Sequence, residues 1–237
     1  MSPAESQALA EGQRLFGKYI LRRFLGRGPL GAAWLVLDES IGREMAMRFL
    51  PGSWARDERI KEALQAALGR WRELAHPNIV TAQNAVSDGA HAAIITKYVE
   101  AETLHELKSH QPERFFPISR VAPWMAQLCD ALDYAARHQQ MVHGDINPLN
   151  LLIAKEDTLQ VADFGLARSL FKIQGADGTP VLVGTLAYIS PERARGADVS
   201  AADDVYAFGA TVFDVASHVP PRAKLLSACK SLMSRLP

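Results

Sequence analysis

The sequence predicts an α+β chain in two lobes: a small antiparallel sheet of five strands with one helix, then a larger, mainly helical lobe. Three observations predict it. Five strand-like runs and a single long helical run fit between Tyr19 and Tyr98, the content of one small α+β lobe. After Val99 the apolar residues change to helical spacing. Within that helical stretch, Asn150–Ala154 and Thr158–Val161 are Leu-rich and β-branched and bracket the acidic turn Glu156-Asp157, which reads as a hairpin.

The elements follow in order. Residues 1–18 open with MSPAESQALAEGQ, polar and acidic, and read as a flexible tail and not as a signal peptide. YILRRFLG from Tyr19 is the first strand, a glycine turn follows, and AAWLVLDE is the second. A tight turn at Gly42 leads into REMAMRFLP, a third strand ended by Pro51, which has no N–H for a ladder. ERIKEALQAALGRWREL is rich in Ala, Leu and Glu and predicts a helix. HPNIV at His76–Val80 breaks it, and strands are expected near Val80–Val86 and His91–Tyr98. The lobes are expected at 19–98 and 99–237. In the second lobe, Thr103–Ser109 predicts a short helix and Ile118–His138 a long one, with Val121, Trp124, Met125, Leu128 and Leu132 on its apolar face. Ala201–Ser217 is a further apolar helix.

Composition excludes several classes. Lys and Arg total 26, as do Asp and Glu, for a net charge of zero, which argues against a nucleic-acid or anionic-membrane surface. The two cysteines, Cys129 and Cys229, form neither a disulfide framework nor a metal spacing, which suits a reducing compartment. No apolar run approaches the roughly 20 residues a bilayer demands. A soluble, cytoplasmic protein with no membrane segment in this chain is the expectation.

The chemistry is concentrated in HGDINPLN at His143–Asn150 and ADFGLAR at Ala162–Arg168. Asp145 and Asn150 lie in one turn, and Asp163 follows in the next loop. A carboxylate base and hard oxygen donors in this order suit a magnesium-bound phosphate. Upstream, Gly26-Arg27-Gly28-Pro29-Leu30-Gly31 lies between two strands. Alone it is equally a hairpin turn. Glycines there let backbone amides approach phosphates, and the strand-to-strand setting differs from the strand-to-helix setting of a dinucleotide fold.

Together these motifs resemble, in order, those of protein kinases, and the chain from Tyr19 to Ser217 resembles a bacterial-type Ser/Thr protein kinase domain. The resemblance implies the two-lobed kinase fold, ATP and Mg²⁺ as cofactors, and a protein substrate or signalling partner. It makes Asp145 the base, Asn150 and Asp163 the metal ligands, and Gly26, Gly28 and Gly31 the phosphate lid. ITKYVEAETL resembles the hinge, with Thr96 as gatekeeper and Val99 offering its N–H to adenine. Leu25, Ala33, Ala46 and Leu152 would sandwich the base. GTLAYISPER at Gly184–Arg193 resembles the end of an activation segment, with Thr185 positioning the substrate. DDVYAFGATVFD at Asp203–Asp214 resembles the central helix, in which Asp204 would accept hydrogen bonds from the catalytic-loop backbone.

The pattern also breaks. Arg48 stands where the family has the phosphate-gripping lysine of its third strand, and a planar fork does not replace an ammonium in a tight site. The Glu that orients that lysine falls at Ala67, and Glu62 is about 140° away around the helix. Asn147 replaces the lysine that steadies the γ-phosphate, and Gly144 the arginine that receives activation-loop phosphate. Glu192 normally pairs with an arginine further on; Arg222 and Arg235 are the candidates. Residues 218–237 are few for the family's remaining helices, so the second lobe reads as shortened. Two readings follow: a Ser/Thr kinase of reduced activity with Arg48 as makeshift clamp, or a pseudokinase acting as a nucleotide-binding or scaffolding module.

Overall fold

A computed structural model of the chain describes residues 9–28, 30–52, 54, 57–166 and 187–217. They divide into two compact units. One is the chain up to Glu73 with Thr81–Val99; the other is Leu74–Val80 with the chain from Glu100 on.

The first unit is an antiparallel sheet with one helix. Its strands are β1 (Arg14–Leu15), β2 (Tyr19–Gly28), β3 (Gly31–Asp38) and β4 (Arg43–Phe49), then, after the helix α1 (Glu58–Arg72), β5 (Ala82–Ser87) and β6 (Ala92–Lys97). The order across the sheet is β1-β2-β3-β4-β6-β5. The expected five strands are present. The sixth, β1, corrects the reading of 1–18 as tail. Leu15 is buried, and the Arg14–Leu15 pair aligns with Tyr19–Ile20 across a tight turn. A two-residue strand carries no period to read, so only the burial of Leu15 reveals it.

Side-chain alternation sorts the sheet into two faces. Tyr19, Leu21, Val36, Met45, Met47, Phe49, Ala93 and Ile95 form the core of one face with Leu15. The alternate residues of β3, β4 and β6 form the other. Against β5 packs α1, capped by Asp57, whose side chain accepts from the Arg59 N–H at 3.0 Å. Its buried stripe runs Ile60, Leu64, Ala67, Leu68, Trp71. The β3–β4 turn is held by Asp38, which is buried and accepts from the Ser40 N–H at 2.9 Å and from Lys18 Nζ at 2.8 Å.

The second unit begins where HPNIV ends the helical pattern. That segment docks on the later hairpin: Asn78 Nδ2 donates to the Leu159 carbonyl at 2.7 Å and to Gln127 Oε1 at 2.9 Å, and Val80 N–H to the Val161 carbonyl at 2.9 Å. A three-stranded sheet, β7-β8-β9, joins Ala101–Thr103, Leu151–Ala154 and Leu159–Val161. The short β7 begins just past the expected lobe division at 98/99. Thr103 then caps α2 (Leu104–His110) in a reciprocal box with Glu106. The long helix α3 (Ile118–Gln139) buries Val121, Trp124, Met125, Leu128, Ala131 and Ala135. Its stripe passes through Ala131, leaving Leu132 half-buried. After the loops come one turn, α4 (Pro191–Ala194), and the helix α5 (Ala201–Ala216). At the end of α5, Asp214 is buried and accepts from Lys108 Nζ of α2 at 2.8 Å and from the Tyr188 hydroxyl at 2.9 Å. Burial, then the Asp214 charge, pushes the Tyr188 hydroxyl far above the ordinary tyrosine range. Among the described residues no helix is long and apolar enough to cross a membrane.

Candidate active site

In the first unit the candidate nucleotide-side residues share one sheet face. Ala33 pairs with Arg48 and Leu35 with Ala46 across β3 and β4; Ala46 pairs with Thr96 and Arg48 with Ile94 across β4 and β6. This register puts Ala33, Ala46, Arg48 and Thr96 on the face opposite the methionine core. Thr96 is buried, and Ala33, Ala46, Leu25 and Val99 are half-buried. The lid is the β2–β3 hairpin, with Gly26 opposite Ala33 and Gly28 opposite Gly31. Gly31 has φ +125°, and a Cβ there would lie 2.0 Å from the Phe49 carbonyl oxygen, so only glycine fits. The half-buried Arg48 reaches this hairpin: its Nη1 lies 3.5 Å from where a Gly28 Cβ would be. Ala67 is wholly buried, whereas Glu62 is exposed on the solvent side of α1.

The second unit holds the loop from His143 to Asn150, built outward from Asp204. This buried carboxylate of α5 accepts the His143 N–H at 2.8 Å and the Gly144 N–H at 2.7 Å, the contact expected from its place in the sequence. Gly144 reaches φ +80°, a region glycine enters without penalty, and consecutive amides then converge on one carboxylate. Burial pushes the Asp204 carboxyl above its ordinary value against those donors. His143 Nδ1 accepts the Asp145 N–H at 3.1 Å, and Nε2 donates to the Ala162 carbonyl at 2.7 Å. Those two partners assign the ring proton to Nε2. The ring also meets Phe164 edge-on, centroids 4.7 Å apart. One imidazole thus ties the His143–Asn150 loop to the Ala162–Phe164 segment.

Asp145, Asn150 and Asp163 are brought together here. Asn150 Nδ2 donates to the Asp145 carbonyl at 2.8 Å and to Asp145 Oδ2 at 3.2 Å. The Ala162 N–H donates to the Asn150 carbonyl at 2.9 Å, setting Asp163 beside it. Asp163 is buried with φ +63°, a strained conformation that Asp tolerates and that clusters at functional sites. With the Asn150 amide nitrogen committed to Asp145, its side-chain oxygen is the atom that could serve a cation. Paired with the Asp163 carboxylate, this donor set fits a hard divalent cation such as Mg²⁺. Leu152 is half-buried on β8 next to this loop.

Asn147 has a definite structural role. It is 1% exposed, donates from Nδ2 to the Asp145 carbonyl at 2.9 Å and accepts the Leu149 N–H at 2.9 Å. Its amide braces the loop from inside. Sequence reasoning missed Arg193. In Pro191-Glu192-Arg193 the exposed residue is Glu192, and Arg193 is 2% exposed, its Nη1 donating to the Gly144 carbonyl. The only signal was its place as the last residue of the Gly184–Arg193 motif, which gave it no role of its own. Thr185, Arg222, Arg235, Cys229 and Pro29 lie outside the described residues.

The chain's similarities agree with this geometry. The family model for the protein kinase domain matches residues 19–232. The serine/threonine-protein kinase PknB of Mycolicibacterium smegmatis is 31% identical over 214 residues, covering 88% of this chain and 34% of PknB. The serine/threonine-protein kinase PrkC of Bacillus subtilis is 31% identical over 205 residues, covering 86% of this chain and 31% of PrkC. The chain thus spans about a third of the length of these curated relatives. Among solved structures, the kinase domain of PknI from Mycobacterium tuberculosis superimposes with a TM-score of 0.72 at 26% identity, covering 90% of this chain and 78% of that one. A model match over most of its length and a catalytic loop organised around Asp204 lead to one conclusion: the chain belongs to the protein kinase domain family, in its bacterial serine/threonine type.

Proposed function

We propose that this chain binds ATP with Mg²⁺ and transfers the γ-phosphate to a Ser or Thr hydroxyl of a protein substrate, at a rate lowered by Arg48 and Asn147. The observation that carries the reading is the Asp145–Asn150 hydrogen bond. It holds the carboxylate that would take the hydroxyl proton and leaves the Asn150 oxygen to act as a ligand. In the transfer, the substrate oxygen bonds to the γ-phosphorus, the bond to the β-phosphate bridging oxygen breaks, and ADP leaves. Mg²⁺, held by Asn150 and Asp163, would supply charge neutralisation on the phosphates. Gly26, Gly28 and Gly31 would cover the phosphates, Arg48 would contribute charge from below the lid, and Thr96, Val99, Ala33, Ala46, Leu25 and Leu152 would hold the adenine.

One observation favours a second reading, a nucleotide-binding pseudokinase. Asn147 spends its amide inside the loop and brings no charge to the γ-phosphate. Two measurements separate the readings. Thermal shift with ATP and Mg²⁺ should show stabilisation of about 2.7 kcal/mol at about 100 times Kd. Transfer of labelled phosphate to a basic protein should be measurable but below the roughly 1–100 s⁻¹ of typical kinases. Stabilisation without transfer selects the pseudokinase; neither result leaves the nucleotide assignment without support.

A further inference from the structure

We propose that Arg23 and Tyr98 form a clasp across the nucleotide face of the first unit, and that this clasp sets how long an adenine nucleotide stays bound. It rests on the reading of that face as the ATP site. Arg23 Nη2 donates to the Tyr98 hydroxyl at 2.9 Å, across a separation of 75 residues in the chain, and both residues lie within the first compact unit.

A bulge aims Arg23. Tyr19 and Leu21 belong to the methionine core, and strict alternation would send Arg23 to the same side. The register instead slips between Leu21 and Arg23, so that Leu21 stands opposite Val36 but Arg23 opposite Leu35. Leu35 pairs with Ala46, and Ala46 with Thr96. The slip therefore carries Arg23 to the nucleotide face, as a bulge re-aims a side chain. Tyr98 follows β6 directly, and continuing that strand's alternation from Thr96 places it on the same face. The two residues are not on neighbouring strands. In the order β2-β3-β4-β6 three spacings separate them, about 14 Å in a flat sheet at about 4.8 Å each. Two long side chains that lean together close that span. Their bond thus crosses β3 and β4 on the face against which adenine would lie. Its ends also adjoin proposed adenine contacts: Arg23 lies just ahead of Leu25, and Tyr98 immediately precedes Val99. Moving the lid strand away from Tyr98 breaks the bond. Arg23 is exposed and Tyr98 half-buried, so both side chains have room to part and meet again.

The test follows release of N-methylanthraniloyl-ADP, a fluorescent adenine nucleotide, by stopped flow in the presence of Mg²⁺. The wild type is compared with Tyr98→Phe, Arg23→Gln and the double variant. Tyr98→Phe keeps the ring and removes only the hydroxyl. It should raise the release rate roughly three- to tenfold, the effect of losing one hydrogen bond, and Arg23→Gln should do the same. The double variant should release no faster than either single variant, because the pair acts as one unit. A general attraction of the Arg23 charge for phosphate would instead appear in the association rate, weaken with salt and leave Tyr98→Phe like the wild type. A merely structural bond would lower Tm without moving the release rate. Wild-type release from Tyr98→Phe, or effects that multiply in the double variant, overturns the clasp. If the wild-type chain binds no nucleotide, the ATP-site reading fails and the clasp falls with it. Nucleotide binding by all four proteins with one common release rate overturns the clasp alone.

Discussion

Gly31 is where single-residue chemistry is most constrained. Its φ of +125° and the 2.0 Å separation between the Phe49 carbonyl oxygen and any Cβ at this position combine backbone strain with a clash against main chain. Gly31→Ala should cost about 2 kcal/mol or more, read as a lowered denaturation midpoint. Gly28→Ala, whose Cβ would meet only Arg48 Nη1 at 3.5 Å, should cost far less; equal losses would contradict the distinction. Asp163 gives the second test. Asp163→Asn should keep the fold and abolish the magnesium-dependent part of ATP stabilisation in thermal shift, and a wild-type response to Mg-ATP would remove Asp163 from the metal site. That Asp145, Asn150 and Asp163 come together was legible in sequence because each occupies a motif with fixed neighbours. Arg193 was not, because its role depends on which side of a single helical turn is buried, and no period can be read from four residues.

Among the elements, the β3–β4 hairpin shows how charge and turn chemistry combine. Burial alone would raise the Asp38 carboxyl, but Lys18 and the hydroxyl and amide of Ser40 outweigh it and hold the group below its ordinary value. A depressed carboxylate contributes stability that is present above the unfolded value of about 3.9 and is lost as pH falls through the folded one. Asp38→Asn should therefore lower Tm at pH 7, and its gap to wild type should close as pH falls below about 4. A gap that widens in acid would refute the assignment. The long elements were legible from apolar period: α1, α3 and α5 begin within a residue of expectation. The short strands β1 and β7 are set by their partners, Tyr19–Ile20 for β1 and β8 for β7, whereas α4 carries a local start signal, the Ser190 cap followed by Pro191.

For the whole molecule, the rate of the proposed reaction tests the breaks at Arg48 and Ala67. Ala67 is wholly buried, and Ala67→Glu alone buries an uncompensated carboxylate and should lower Tm. Arg48→Lys alone supplies an ammonium with no carboxylate to orient it and should gain little transfer. The double variant should recover part of the Tm loss and raise transfer above the sum of the single effects, since interacting groups are not additive. A flat rate across all four proteins, with ATP still bound, would assign the block to Asn147 and favour the pseudokinase.

The tie at Asp214 has an evolutionary consequence. One buried acid accepts from both Lys108 of α2 and the Tyr188 hydroxyl ahead of α4, so it ties the two donors together. Loss of Asp214 takes a carboxylate from two half-buried donors, and loss of either donor leaves the buried carboxylate with one partner fewer, so the three positions are coupled. Across descendants of this chain, positions 108, 188 and 214 should covary as a triplet, while exposed Glu192, a few residues from Tyr188, drifts independently.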